Sequence, residues 1–262
     1  QGTAEDVCGT PWYGWMTKCG CALPPEREKA FARLIVQEIA SGNDTREGLR
    51  QACQAAGMTA DEEKMVFHGW GGVIGELSLL GVICAQVQEK KAYRLCAPFA
   101  PMDAAEAELT LARRYFTHYG PASLRDAAYF FRVPQTKVKA WLKQLDAREI
   151  RVDGRMYYAI GDAPEGEMPH VRLLSGFDPM LLGYRKEDNP ILPPEHLRGV
   201  FNLTGIVHPT VLAEGRIVAR WREKDGKVEL MPFENIGVRT KKRIEREVEK
   251  WFEVKEIRWM EI

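Results

Sequence analysis

Apolar residues in the first third of the chain recur at helical spacing. Phe31, Leu34, Ile35 and Ile39 share one face, with Glu38 the polar exception. Gly42-Asn43 stops that helix, and Thr45 is placed to cap the next, whose outer face keeps Glu47 and Arg50. A third helix is predicted after Asp61, with Val66, Trp70, Val73, Ile74, Leu77 and Leu80 as its apolar stripe and Gly81 at its end. "VICAQVQEKKAYRLCAP" then reads as a hairpin turning at Glu89-Lys90-Lys91. The order recurs. Residues 104–118 predict a helix with Leu109, Ala112, Tyr115 and Phe116 inward, 122–131 a second, and Pro134 opens a third. "IRVDGRMYYAI" supplies a hairpin, with Asp153-Gly154 as its two-residue turn.

Helix, helix, helix, hairpin is the layout of a winged helix, a helix-turn-helix variant that often binds DNA. Two such units are expected, over 26–99 and 100–162. Residues 1–25 are rich in Gly, Trp, Cys and Pro and show no periodicity. They are expected to be irregular, as the remnant of a first winged helix would be. "DAPEGEMPH" is a linker. Residues 171–262 read as a β-rich domain. Glu214-Gly215 and Asp225-Gly226 separate alternating runs, which predicts a β-meander or small barrel. A charged helix over 237–252 and a last strand in "KEIRWMEI" follow. The fold class is thus α+β: tandem winged-helix units, then a small β-barrel or meander with a C-terminal helix.

The chain has 262 residues, with 45% hydrophobic and 28% charged, as in an ordinary globular protein. No apolar run reaches the roughly 20 residues of a membrane span, so no membrane partner is expected. No signal peptide opens the chain, which favours a cytoplasmic location with reduced thiols. It begins with Gln1 rather than Met, which leaves room for a segment ahead of it. Cys8, Cys19 and Cys21 invite a metal reading. Their C-x-C spacing and the lack of a nearby His argue against it, and neither metal nor cofactor is expected.

Lys+Arg and Asp+Glu are both 37, so the net charge is zero and a uniformly basic coat is excluded. A local patch is not, because charge acts over roughly 10 Å. Between Leu111 and Arg155 there are ten cations (Arg113, Arg114, Arg125, Arg132, Lys137, Lys139, Lys143, Arg148, Arg151 and Arg155) against Asp126, Asp146, Glu149 and Asp153. In the stretch 135–148, Val138, Trp141, Leu142 and Leu145 share the inward face. Gln135, Lys139 and Lys143 lie four apart on another face, with Lys137 beside them. This is where a recognition helix would lie. Gln135 and Thr136 are placed for base edges or phosphates, the lysines for phosphates, and Arg151 and Arg155 bracket the hairpin turn. The competing reading is a solvated helix face. "GWGGVIG" is no dinucleotide fingerprint. Its Gly69, Gly72 and Gly75 recur at threefold spacing, suited to close approach of another backbone. His118, His170, His196 and His208 are scattered, and Ser123 and Ser175 lack a nucleophile elbow.

Three stretches carry a family resemblance. "ARRYFTHYGPASLRDAAYFF" (112–131) resembles a pattern built on Tyr-Gly-Pro and a following Asp. "VRLLSGFDPMLLGYRKED" (171–188) resembles one built on Phe-Asp-Pro and Gly-Tyr. "GIVHPTVLAEGRIVARW" (205–221) resembles one built on Pro-Thr, Gly-Arg and Trp. Together they are similar to the winged-helix DNA-binding family that includes the AlkZ-like alkylpurine DNA glycosylases of bacteria, over roughly 26–235. The resemblance implies tandem winged helices, a C-terminal β-barrel and a concave basic surface for double-stranded DNA. It implies excision of N7-alkylated purines or unhooking of interstrand crosslinks, in which an oxocarbenium-like sugar must be stabilised. It places Arg185 on a basic position near DNA. Asp178 falls on the Phe-Asp position, where a turn or cap before Pro179 is the plainer role and a catalytic carboxylate the alternative by analogy. The family's Gln-apolar-Gln or Gln-apolar-Asp motif belongs in a first winged helix. Gln86-Val87-Gln88 matches it in composition but lies in a later hairpin, so no catalytic residue is assigned. The expected function is duplex DNA binding in repair. A non-catalytic DNA-binding regulator and a protein–protein interaction module are the alternatives.

Overall fold

The computed structural model describes residues 1–69, 71–88, 90–162 and 169–261. Trp70, Glu89 and most of the expected linker lie outside them. The chain divides into two compact units, Gln1–Met102 and Asp103–Ile262.

The first unit corrects the expectation of an irregular N-terminus. A 3₁₀ turn over Ala4–Gly9 leads into helix α1 (Pro11–Lys18). Thr3 and Asp6 form a capping box, with the Thr3 N–H donating to Asp6 Oδ2 at 2.8 Å. Thr10 caps α1 and Pro11 takes its first position. Val7 and Met16 are buried, Val7 in the core formed with α2 (Pro25–Ala40) and α3 (Arg46–Ala55). Thr45 caps α3, as its sequence suggests.

The expected third helix is two helices, α4 (Ala60–Val66) and α5 (Gly72–Leu79). The chain doubles back between them, with Gly72 at φ +66°. A Cβ there would lie 2.4 Å from the Met65 carbonyl oxygen and 2.5 Å from that of Val66. Close approach therefore belongs to Gly72 in a turn. Gly69 and Gly75 face open space, which overturns the threefold stripe. Strands β1 (Ile83–Gln86) and β2 (Ala92–Leu95) close the unit as an antiparallel pair.

Two carboxyls lie inside this unit. Glu28 of α2 and Glu76 of α5 are 6% and 1% exposed, and neither has an ion-pair partner among the described residues. Thr10 Oγ1 donates to Glu76 Oε1 at 3.3 Å, Cys8 and Tyr13 lie nearby, and the charge of Lys29 reaches Cys8. Burial, then the hydrogen bond to Glu28 and its charge, push Glu76 up to about 9, and burial raises Glu28. Raised carboxyls favour folding fully below the unfolded-chain carboxyl range, and that contribution is lost as pH climbs toward 9. The thermal midpoint of this unit is therefore expected to fall between pH 5 and pH 9, by roughly 4–8 °C per kcal/mol lost. Glu76→Gln should flatten that fall and raise the midpoint at pH 8. A variant that melts lower than wild type at pH 8 would refute this account.

In the second unit, α6 (Ala104–His118) buries Ala112, Tyr115 and Phe116. Helix α7 spans Leu124–Phe131, two residues shorter than expected, because Ser123 and Asp126 form its capping box. Helix α8 (Gln135–Leu142) buries Val138 and Trp141 against both. It ends earlier than the lysine stripe, so Lys143 sits at its cap. Strands β3 (Arg148–Val152) and β4 (Arg155–Ala159) pair across Asp153-Gly154, both in the left-handed region as that turn requires.

A five-stranded sheet follows, in the order β5 (Val171–Leu174), β6 (Thr210–Ala213), β7 (Arg216–Lys224), β8 (Lys227–Pro232), β9 (Glu256–Trp259). Short helices α9 (Pro179–Leu182) and α10 (Leu197–Val200) lie between β5 and β6. Strands β5 to β8 are antiparallel, the meander expected. The barrel alternative is not formed. Helix α11 (Val238–Trp251) crosses over and returns β9 parallel to β8, leaving β5 and β9 as open edges.

Candidate nucleic-acid interface

The second unit gathers most of the candidate contacts on α8 and the β3–β4 hairpin. Packing of Val138, Trp141 and Leu145 inward fixes the roll of the helix. Gln135 and Thr136 stand exposed in its first turn. Lys139 and Lys143 are exposed along a cleft of about 330 Å³ between the helix and the hairpin, shared with Leu142, Glu149 and Tyr158. Arg151 lies opposite Met156 and Arg155 opposite Val152, both exposed. Arg155 also borders an adjoining cleft of about 290 Å³ with Ser123, Arg125, Tyr157 and Asp188.

Two expected contacts are engaged elsewhere. Lys137 turns back to α6, where its Nζ lies 2.5 Å from Glu108 Oε1 and 5.7 Å from the centre of the Trp141 ring. That bond holds the Glu108 carboxyl below its ordinary range. Arg185 donates to Asp188 Oδ2 at 3.0 Å, lies 3.2 Å from Glu187, and its backbone N–H donates to Asp126 Oδ1. Its charge is matched within its own loop. Of the ten cations between Leu111 and Arg155, Lys137 alone has a carboxylate partner among the described residues. Lys139 and Lys143 share one cleft, and Arg125 and Arg155 the other, without an ion pair to a carboxylate among the described residues.

Other candidates have structural duties. Asp178 caps α9, accepting from the Met180 N–H at 3.0 Å. The buried His196 ring bonds the Ile217 carbonyl, and His170 pairs with Glu214. Gln86 donates to Asp44 Oδ2 and to the Tyr93 carbonyl, tying the first hairpin to the α2–α3 turn. A Gln-apolar-Asp triplet, Gln144-Leu145-Asp146, follows α8. Leu145 is buried and Gln144 donates to the Ala140 carbonyl at 3.3 Å. Sequence reasoning passed over it because the stretch reads as helix. It also left Arg125 and Tyr158 unassigned, which only the folding of α7 against β4 brings to the clefts.

Comparison with known proteins identifies the family. A family model described as "DNA glycosylase AlkZ-like" matches residues 10–253. A curated relative from Streptomyces sahachiroi, "Interstrand DNA cross-link repair glycosylase", is 26% identical over 265 aligned residues, covering 90% of this chain and 71% of its own. The solved structure of the Streptomyces sahachiroi DNA glycosylase AlkZ shares the fold, with a TM-score of 0.62 at 24% identity, covering 98% of this chain and 74% of that one. With more than half of its length matched, the chain belongs to the AlkZ-like DNA glycosylase family.

Proposed function

We propose that this protein binds double-stranded DNA through α8 and the β3–β4 hairpin, and acts there in repair of alkylated or crosslinked bases. On this reading, residues 26–99 and 100–162 are winged-helix units and 171–262 the β-rich domain that follows them. Helix α8 is the recognition helix and Arg151 and Arg155 grip the flanking backbone. The observation that carries the reading is the set of exposed cations without carboxylate partners, Lys139, Lys143, Arg151 and Arg155 foremost. A cytoplasmic location goes with it.

Four phosphate contacts would give a slope of log affinity against log salt of about −3.6, at roughly 0.9 per contact on a duplex. Fluorescence anisotropy of a labelled duplex between 50 and 200 mM salt checks this, and a slope near zero would contradict it. Activity is read separately, by release of free N7-methylguanine from alkylated duplex. There, water adds to the sugar carbon and loses a proton to solvent, and the N7-alkylated base, cationic while attached, leaves neutral with the glycosidic electron pair. We expect release above the spontaneous rate. Binding without release would instead identify a non-catalytic DNA binder. That second reading is favoured by the engagement of both glutamine motifs, Gln86 with Asp44 and Gln144 with Ala140.

A further inference from the structure

One end of the five-stranded sheet carries features that neither packing nor the α8 surface accounts for. Leu174, Thr210 and Arg220 form one row across β5, β6 and β7. Beyond this row β5 runs into the Ser175–Asp178 loop, and His208 precedes β6. Phe177 in that loop has φ +57° and stands 47% exposed. A bulky residue in the left-handed region is a genuine outlier, and such strain persists only where surroundings impose it.

Here they do. The Phe177 N–H donates to the Val207 carbonyl at 3.1 Å. Asp178 accepts from the Ser175 N–H at 3.2 Å through one carboxylate oxygen and from Met180 through the other. The chain thus holds an apolar ring outward in a conformation that Gly or Asn would adopt with less strain. Met180 and Leu182, each 39% exposed, follow in α9.

At the same end of the sheet, two strands across from Leu174, lies Arg220. Arg220 has no carboxylate partner among the described residues. Its Nη2 donates to the Met231 sulfur at 3.9 Å, and its Nε is buried with no hydrogen-bond partner among the described residues. Burial, and after it the charge of Arg220, lowers the His208 imidazole below its ordinary range. An exposed apolar ring and a guanidinium without a carboxylate partner, at one end of the same sheet, match the two surfaces of a nucleic acid, the base face and the phosphate.

We propose that Phe177 is a wedge that stacks at a base step of bound duplex DNA, with Arg220 on the adjacent phosphate. The inference rests on the DNA-binding reading above and adds a second contact to it. The test uses the full chain and a duplex with 2-aminopurine at successive steps. Wild type should bind with strong salt dependence and raise the probe fluorescence as the step unstacks. Phe177→Gly should melt no lower than wild type, since the strain is relieved. It should bind about 10-fold more weakly, in the range of one lost stacking contact, and lose the fluorescence rise. Phe177→Asn, which also tolerates the left-handed region, repeats the test should the glycine variant fold poorly. Phe177→Tyr should restore the signal. Arg220→Gln should shrink the salt slope by about 0.9 and leave the rise in place. Wild type that does not bind duplex overturns the DNA reading itself. Wild-type binding with unchanged affinity and fluorescence in both Phe177→Gly and Phe177→Asn overturns the wedge alone.

Discussion

Reversing the charge at Lys139 and Lys143 together is expected to weaken duplex binding on the order of 100-fold at 100 mM salt. Both lysines are exposed along the cleft between α8 and the β3–β4 hairpin. Each phosphate contact contributes about 0.9 to the salt slope, so removing two should shrink the slope by about 1.8, with repulsion from the new carboxylates adding to the loss. The effect should fall alike on all sequences, because lysine–phosphate contacts carry no base information. Lys137→Ala is the internal comparison. It lies in the same stretch but is held by Glu108, so it should change the affinity far less. Anisotropy titrations of wild type and both variants decide the matter. Equal losses for Lys137 and for the Lys139/Lys143 pair would mean that general charge, not this surface, attracts the DNA.

The second large effect concerns stability. Gly72→Ala is expected to destabilise the first unit by about 3 kcal/mol or more. A left-handed alanine costs roughly 1–2 kcal/mol, and forcing a methyl into filled space adds about 1–3 kcal/mol. The space is filled by backbone, the Met65 and Val66 carbonyls, which cannot rotate away as a side chain would. Gly75→Ala, three residues on in α5, meets nothing within 4 Å. A helical Gly→Ala there should be neutral or stabilising by up to about 1 kcal/mol. Denaturant melts of the pair read the difference, and similar midpoints for the two variants would refute the assignment of the turn to Gly72.

How much of this was legible beforehand follows the range of the interactions involved. Thr45 and Asp153-Gly154 act over two or three positions and stand in the roles the pattern gave them, whereas the cap at Ser123 went unread because helical spacing alone placed it inside the helix. The N-terminal segment was missed for a different reason. Its Thr3-Asp6 box and Thr10-Pro11 cap are equally local, but the elements they start are too short to show a helical period. The break at Gly72 was hidden because Val66, Val73, Ile74 and Leu77 keep helical phase across it. All four pack into the same core from two separate helices. Whether the C-terminal sheet closes depends on where β9 lands after α11, which no single strand encodes.

The candidate contacts divide in the same way. The exposure of Lys139 and Lys143 was readable from their spacing on an amphipathic stretch. The pairing of Lys137 with Glu108 joins residues 29 positions apart, and the match of Arg185 to Glu187 and Asp188 depends on how its loop turns. Phe177 gave no signal at all, since a left-handed φ on an aromatic residue runs against its own preference and exists only through the Val207 and Asp178 bonds.

The surface itself is located most directly by backbone hydrogen exchange of the full chain with and without a saturating duplex. If α8 and the β3–β4 hairpin lie on the DNA, peptides spanning 135–142 and 148–159 should exchange more slowly in the complex. Unchanged exchange across those peptides in a chain shown to be DNA-bound, with protection elsewhere, would contradict it.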